Sequence, residues 1–589
     1  MNSSEYENSH MYKVRHSAEH VFAQAVKEIY GDKVQLGVAH ISEIGFANDA
    51  KWSVELKPED FEKIEKKMQE IIDANLPITR KDISIEEAKE MFKDNPFKLE
   101  WVEQWSKEGK GLTVYWTGDS YVDLCKGPHV EKTGEIKAFK LMNIAGAYWR
   151  GDEKNEMLTR VYGVAFENKE ELEKHLFMLE EAKKRDHRKL GKDLDLFTFS
   201  DLIGSGLPLY TPRGGLIRLL LTEYIEQEQK KLDYTQVWTP QIAKAELFKI
   251  SGHYDKYKED MFRVVSNYSD DEFFLKPMNC PQHTQIYASK PRSYRDLPQR
   301  YSDFAMLYRD ERPGELNGLA RVRSFSTDDC HIFCREDQVD YEIDMALQMT
   351  KNIMKTFGFK YRYRLSTRDP EKKDKYLGDP ATWDKVEKWA EEIMKRNEIE
   401  YYDGPGEAAF YAPKMDLMAT DALGREWQLS TVQIDYVQPA RFGLKYIDSD
   451  GSEKTPIMIH RAVLGSAERA MMVLLESFAG ALPVWLHPDQ VAILPISGEK
   501  HLDYSKKIFD ELKSMGLRMV MSDESETLGN RIRKAQEQKI PYVIVIGDKE
   551  MQNNSVNVRL RGGESLGEMS LEDFTKRVQD KIFTKALDL

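Results

Sequence analysis

"YRDERPGELNGLARVRSFSTDDCHIF", residues 308–333, concentrates the features that decide how this chain folds and what it binds. Arg309, Arg312, Arg321 and Arg323 surround a Pro/Gly turn between two β-like runs. Guanidinium groups stay charged and grip phosphate through paired hydrogen bonds. A solvated basic hairpin is the commoner fate of such a run. The same stretch also carries Glu311, Phe325, Asp328, Asp329 and His331. Phosphate donors, an aromatic face and acceptors together favour a nucleotide site.

Outward from this loop, residues 191–485 contain short aromatic-rich β-like runs such as "YRYRLS", "EWQLSTVQIDYV" and "TPIMIHRAVLG". They predict an antiparallel sheet with flanking helices. Within them "LGSAERAMMVLLE" places Gly465 and Arg469 at a helix start, where an arginine can reach a phosphate. From residue 486 the texture changes to strand "VAILPI", helix "YSKKIFDELKSMG", strand "LRMVMS", helix "LGNRIRKAQEQK" and strand "YVIVIG". That is a βαβαβ unit with a parallel sheet. Residues 1–167 mix helices and strands, and 168–190 read as a charged connecting helix with Leu172, Leu176 and Leu179 at helical spacing. The expectation is an α+β multidomain chain with segments 1–167, 168–190, 191–485 and 486–589.

The 589 residues and 41% hydrophobic content support packed cores and argue against disorder. The net charge of −14 confines any nucleic-acid contact to local basic patches. Four cysteines are too few for a disulfide framework and read as reduced thiols or ligands in a cytoplasmic protein. The N-terminus has no signal-peptide pattern, and no apolar run is long enough to span a membrane.

Two constellations carry metal-type chemistry. "MNCPQH" sets Cys280 and His283 at Cys-x-x-His spacing. "HSAEH" puts His16 and His20 on one helix face, and "DLCKGPH" adds Asp123, Cys125 and His129. Spacing alone leaves a zinc hydrolase and four unrelated polar residues both open for the second set.

Taken together, "VWTP" (237–240), "YRDE" through "RSF" and "GSAER" resemble the three motifs of class II aminoacyl-tRNA synthetases. The closer resemblance is to threonyl-tRNA synthetases, through "GSGLPLYTPRG", "LKPMNCPQH", "RVRSFSTDDCHIFC", "AFYAPKMD" and "PIMIHRAVLGSAER". It covers almost the whole chain, except that the family's N-terminal ubiquitin-like domain is missing from this sequence. The resemblance implies an antiparallel-sheet catalytic core, an N-terminal editing domain and a C-terminal anticodon-binding domain. It implies one zinc on Cys280, His331 and His460, and leaves His283 to shape the pocket wall. Arg309 would hold the α-phosphate and the amino-acid carboxylate, Glu311 the adenine amino group, and Phe325 the ring. Arg321 and Arg469 would hold the γ-phosphate. Asp329, Tyr411 and Gln433 would face threonine, and Gln428, Thr431 and Ser466 would complete the ATP side. Pro240 would lie at a homodimer interface. The implied partners are ATP with Mg²⁺, L-threonine and tRNA(Thr), with no membrane. His16, His20, Asp123, Cys125 and His129 would hydrolyse mischarged Ser-tRNA. Arg531, Arg533 and Lys534 would offer charge to RNA.

The sequence departs from the family pattern at Thr327 (usually Gln), Gln282, Asn317, Ala412 and Ser430. "GVAHISEIGFANDA" (37–50) also lacks the family's Pro and aromatic pair. A prolyl enzyme is disfavoured by the Cys/His/His trio. A catalytically reduced, RNA-holding relative is disfavoured by Arg309, Glu311 and Arg469.

Overall fold

The computed structural model describes residues 6–109, 111–421, 424–522 and 526–589. The chain forms two compact units, Met1–Glu180 and Glu181–Leu589.

In the first unit, helix α1 (His10–Tyr30) starts where the Ser9 side chain accepts the Tyr12 N–H. Its central turns are buried, which takes His16 and His20 out of water. Strands β1 (Val34–Ile41) and β2 (Phe46–Trp52) follow, then helix α2 (Phe61–Asp73), strand β3 (Ile78–Ile83) and helix α3 (Pro96–Lys107). Strands β4 (Leu112–Thr117), β5 (Tyr121–Leu124), β6 (Ala138–Tyr148) and β7 (Met157–Phe166) complete two antiparallel sheets, β1-β2-β7-β6 and β3-β4-β5. The charged connection is two helices rather than one. Helix α4 (Lys169–Arg185) ends before Asp186, whose side chain caps α5 (His187–Asp193).

In the second unit, helix α6 (Pro212–Lys230) precedes strand β8 (Thr235–Gln236), and helix α7 (Cys280–Ala288) precedes strands β9 (Gln299–Tyr308) and β10 (Ser324–Cys334). Helix α8 (Val339–Phe357) and strands β11 (Lys360–Thr367), β12 (Tyr401–Pro405), β13 (Lys414–Thr420), β14 (Glu426–Asp435) and β15 (Ile457–Ala462) follow, then helix α9 (Ala467–Ser477). The eight-stranded sheet runs β8-β9-β10-β15-β14-β13-β11-β12. It is antiparallel except for a parallel pair at each edge. Residues two apart on a strand share a face. On β10, Ser326, Asp328, Cys330 and Ile332 therefore turn into the core, while Phe325, Thr327, Asp329 and His331 face the cleft.

The C-terminal region is built on β16 (Val491–Pro495), β17 (Met519–Met521) and β18 (Tyr542–Ile546), which are parallel, as the alternating pattern predicts. The sheet does not stop there. Strands β19 (Ser555–Leu560) and β20 (Ser565–Ser570) extend it antiparallel, in the order β17-β16-β18-β19-β20. The turn between them is short enough for a hairpin and leaves no room for a crossover helix.

Candidate active site

The sheet register assembles the site. Tyr301, His331, His460, Gln433 and Lys414 are successive cross-strand partners on β9, β10, β15, β14 and β13. Directly paired residues present their side chains on the same face. The row therefore brings two distant histidines together on one wall of a cleft of about 600 Å³. Cys280, the first residue of α7, supplies the third donor. One ligand-type atom from each of Cys280, His331 and His460 lies within 4.8 Å of the others, and all three residues are buried. His331 Nε2 is 3.1 Å from His460 Nδ1. The outer nitrogen of His460 donates to Asp435, at 2.9 Å. Burial, with His283 and His460 beside it, holds His331 well below the usual histidine range, and burial pushes the Cys280 thiol up. Two buried imidazoles and a buried thiol are a donor set suited to a soft divalent cation.

Arg309, Arg321 and Arg469 line the same cleft, whereas Arg312 and Arg323 do not. Arg309 lies 5.1 Å over the Phe325 ring. Arg469 is held by the carbonyls of Ala320 (3.2 Å) and Gln428 (2.9 Å), and burial together with Arg309 and Arg321 lowers its pKa. Its backbone is fixed from below. Ser466 caps α9 by accepting the Arg469 N–H, and Gly465 has φ +67° with Leu429 O only 2.3 Å from where a Cβ would stand. Glu311 and Arg321, which the resemblance assigns to opposite ends of ATP, here pair with each other at 2.9 Å. Tyr411 stacks on His460 with centroids 4.9 Å apart. Gln428 donates to Asp416 and Gln433 to Thr431, while the buried Oε1 of Gln433 has no protein partner. Burial and Asp303 push Asp329 up to about 8.

In the first unit, His16, His20, Cys125 and His129 form a second cluster with donor atoms within 4.8 Å of one another. Cys125 Sγ is 3.2 Å from His16 Nε2 and 3.3 Å from His129 Nε2. His16 Nδ1 donates to Pro128 O. The Ser17 hydroxyl accepts the Val130 N–H and lies 3.1 Å from His129 Nδ1. Burial takes His16 down to about 3 and His20 to about 4, and raises Cys125 to about 12, so all are neutral near pH 7. Asp123 is paired with buried Lys98 at 2.6 Å. Glu19, on the same helix, accepts from Asn48 at 2.6 Å, and burial beside Asp123 pushes it up to about 8.

Comparison with known proteins agrees with this architecture. Residues 257–478 match the tRNA synthetase class II core domain (G, H, P, S and T), 490–581 an anticodon binding domain, and 112–162 the threonyl and alanyl tRNA synthetase second additional domain. The threonine–tRNA ligase of Halalkalibacterium halodurans is 45% identical over 569 residues, covering 96% of this chain and 88% of that one. That of Staphylococcus carnosus is 46% identical over 573 residues, with 97% and 88% covered. The chain belongs to the threonine–tRNA ligase family. The crystal structure titled as the RNA binding domain of threonyl-tRNA synthetase from Cryptosporidium parvum superposes with TM-score 0.64 at 36% identity, over 67% of this chain and 98% of that one. A Giardia lamblia prolyl-tRNA synthetase shares the fold alone, at 17% identity. Nothing in these likenesses favours a catalytically reduced protein.

Placed on the threonine–tRNA ligase fold, two sequence readings change. His283 does not line the cleft; it is fully buried behind His331, Nδ1 to Nδ1 at 2.7 Å. Arg531 is buried against Ser522 rather than offered to RNA, while Arg533 is exposed. Sequence reasoning also missed Lys98, Glu19, Asp435, Lys276 and His253. Only strand register and burial identify them. His253, buried and lowered to about 3, lies 3.9 Å from Cys280 Sγ.

Proposed function

We propose that this chain is an ATP-dependent threonine–tRNA ligase. It joins L-threonine to AMP with release of pyrophosphate and then transfers threonine to tRNA(Thr). The observation that carries this reading is one cleft with a Cys280/His331/His460 donor set and arginines 309, 321 and 469 on its walls.

The donor set fits zinc. Two buried imidazole nitrogens and one thiol converge, and the outer nitrogen of His460 is tied to Asp435, as metal-binding histidines usually are. When bound, zinc supplies open coordination positions that an amino acid bearing both an amino group and a hydroxyl can fill. Valine is nearly isosteric with threonine, and an apolar pocket would reject it by only ~10²; a site that demands the hydroxyl rejects it by ~10⁴ or more. Asp329, Tyr411 and Gln433 hold the threonine side, and the unpartnered Gln433 Oε1 is available to a ligand donor.

On the nucleotide side, Phe325 stacks on adenine and Glu311 accepts from its amino group. Gln428, Thr431 and Ser466 border the ribose and phosphates. Arg309 aligns the threonine carboxylate with the α-phosphorus, and Arg321 and Arg469 hold the γ-phosphate with the Mg²⁺ that accompanies ATP. The carboxylate oxygen attacks phosphorus as the bond to pyrophosphate breaks. A terminal ribose hydroxyl of tRNA then attacks the threonyl carbonyl and AMP leaves. Positioning and charge neutralisation supply the rate.

Serine has the required hydroxyl and lacks only a methyl, worth ~1–3 kcal/mol, so misacylation follows and a second hydrolytic site is the remedy. His16, His20, Cys125 and His129, with the Lys98–Asp123 pair, orient water and ester there. Trp238, 84% exposed beside Pro240, supports a homodimer through that segment. The four cysteines are free and buried, and no described helix is long and apolar enough to cross a membrane, which fits a cytoplasmic enzyme. The test is charging of tRNA(Thr) with labelled threonine and ATP; a chain that charges none, or charges proline instead, refutes the reading.

A further inference from the structure

Behind the Cys280/His331/His460 set lies a buried polar network that no step above uses. Lys276, Asn279 and His283 are wholly shielded from solvent, and Thr239 and Asp303 nearly so. Burying an ammonium and a carboxylate costs several kcal/mol each unless partners compensate. Here each group has partners. Lys276 Nζ donates to Thr239 Oγ (2.6 Å) and to Asn279 Oδ1 (2.9 Å). The Thr239 hydroxyl donates to Asp303 (2.7 Å). The Asn279 amide donates to Asp303 (3.0 Å), and its nitrogen lies 2.9 Å from His283 Nε2. Lys276 and Asp303 therefore fix which way the amide points, and the amide fixes His283. His283 Nδ1 then faces His331 Nδ1 at 2.7 Å, which leaves His331 Nε2 turned toward His460. The same segment braces the other ligand. Gln282, two residues after Cys280 on α7, donates to Pro240 O at 3.0 Å.

We propose that Thr239, Lys276, Asn279 and Asp303 act through His283 as a brace that fixes His331. The Val237–Pro240 segment then sets how tightly the site holds zinc and, through zinc, threonine. These are positioning residues; none of them lines the cleft. The inference rests on the threonine–tRNA ligase reading and extends it to residues behind the ligands. It also joins the metal site to a segment whose Trp238 faces outward.

The experiment uses the full chain. Zinc affinity is measured by competition with a chromogenic chelator for wild type, Thr239→Val, Thr239→Ser and Asp303→Asn, with circular dichroism as the check on folding. Outer partners of metal ligands typically contribute ~10–100-fold in affinity. Thr239→Val should lose zinc affinity within that range and raise the threonine KM, with kcat near wild type in excess zinc; Thr239→Ser should restore both. Asp303→Asn keeps the shape and should weaken zinc similarly, so a poorly folding Val variant does not end the test. Folded Thr239→Val and Asp303→Asn with wild-type zinc affinity and threonine KM would overturn the brace while leaving the ligand set intact. A wild-type chain that takes up no zinc would sink the ligand set and the brace together.

Discussion

His331 and His460 are 129 residues apart in sequence and direct cross-strand partners in the sheet, with Nε2 and Nδ1 3.1 Å apart. The metal-type site is thus a property of strand register. A one-residue slip would send one histidine to the opposite face and abolish it.

The Arg321–Glu311 pair lies in the loop between β9 and β10. The Arg321 side chain is 47% exposed, so the pair contributes less than ~1 kcal/mol to stability. A charged hydrogen bond to phosphate is worth more, ~1.5–3 kcal/mol. Arg321→Ala should leave thermal stability almost unchanged and raise the ATP KM by ~10-fold or more. Unchanged ATP KM would exclude Arg321 from the nucleotide.

Glu19 makes unit 1 sensitive to alkali. Its folded pKa of about 8 lies above the ordinary glutamate value of 4.5, so between these values the folded state holds a proton that the unfolded state has released. Stability therefore falls as pH rises through that window, by on the order of 5 kcal/mol in total. Glu19→Gln should be the more stable protein at pH 8 and close to wild type below pH 5. Urea midpoints at the two pH values test this. A wild-type pH slope retained in Glu19→Gln would show that the penalty lies elsewhere.

His20 belongs to the first unit, and the residues assigned to activation belong to the second. His20→Ala should charge threonine at the wild-type rate and lose ~10²–10⁴-fold in hydrolysis of Ser-tRNA(Thr), the usual span for a positioned proton-transfer group. Unimpaired deacylation would remove the cluster from editing.

Gly465 is the tightest point under the arginines. Gly465→Ala forces a left-handed residue against Leu429 O and should cost ~1–3 kcal/mol of strain, displacing Ser466 and Arg469. Pyrophosphate exchange should fall by more than 10-fold with the fold retained. Wild-type exchange would mean that the loop relaxes freely.

Much of this was legible in the sequence. Periodicity gave the parallel start of the C-terminal sheet, but the sequence reading grouped Asp328 with Phe325, Asp329 and His331, whereas β10 turns Asp328 into the core, where it accepts the Val463 and Leu464 N–H groups. The antiparallel extension was not legible, because "SVNVRL" and "SLGEMS" carry too weak a strand signal beside the stronger βαβ pattern. The residues behind the site were hidden for a related reason. Lys276, Asp303 and Glu19 look like ordinary surface charges in a chain that is 32% charged, and only the packed structure shows them buried. His283 shows the limit of local spacing. Its spacing from Cys280 suggests a ligand, but α7 turns it toward His331 instead of the cleft.

The most direct test of the whole account is amino-acid-dependent ATP–pyrophosphate exchange, run with each of the twenty amino acids on wild type and Cys280→Ser. The account predicts exchange with threonine, weak exchange with serine, none with valine or proline, and loss of threonine exchange and of bound zinc in Cys280→Ser. Exchange with none of the twenty, or threonine exchange that survives in a zinc-free Cys280→Ser, would contradict it.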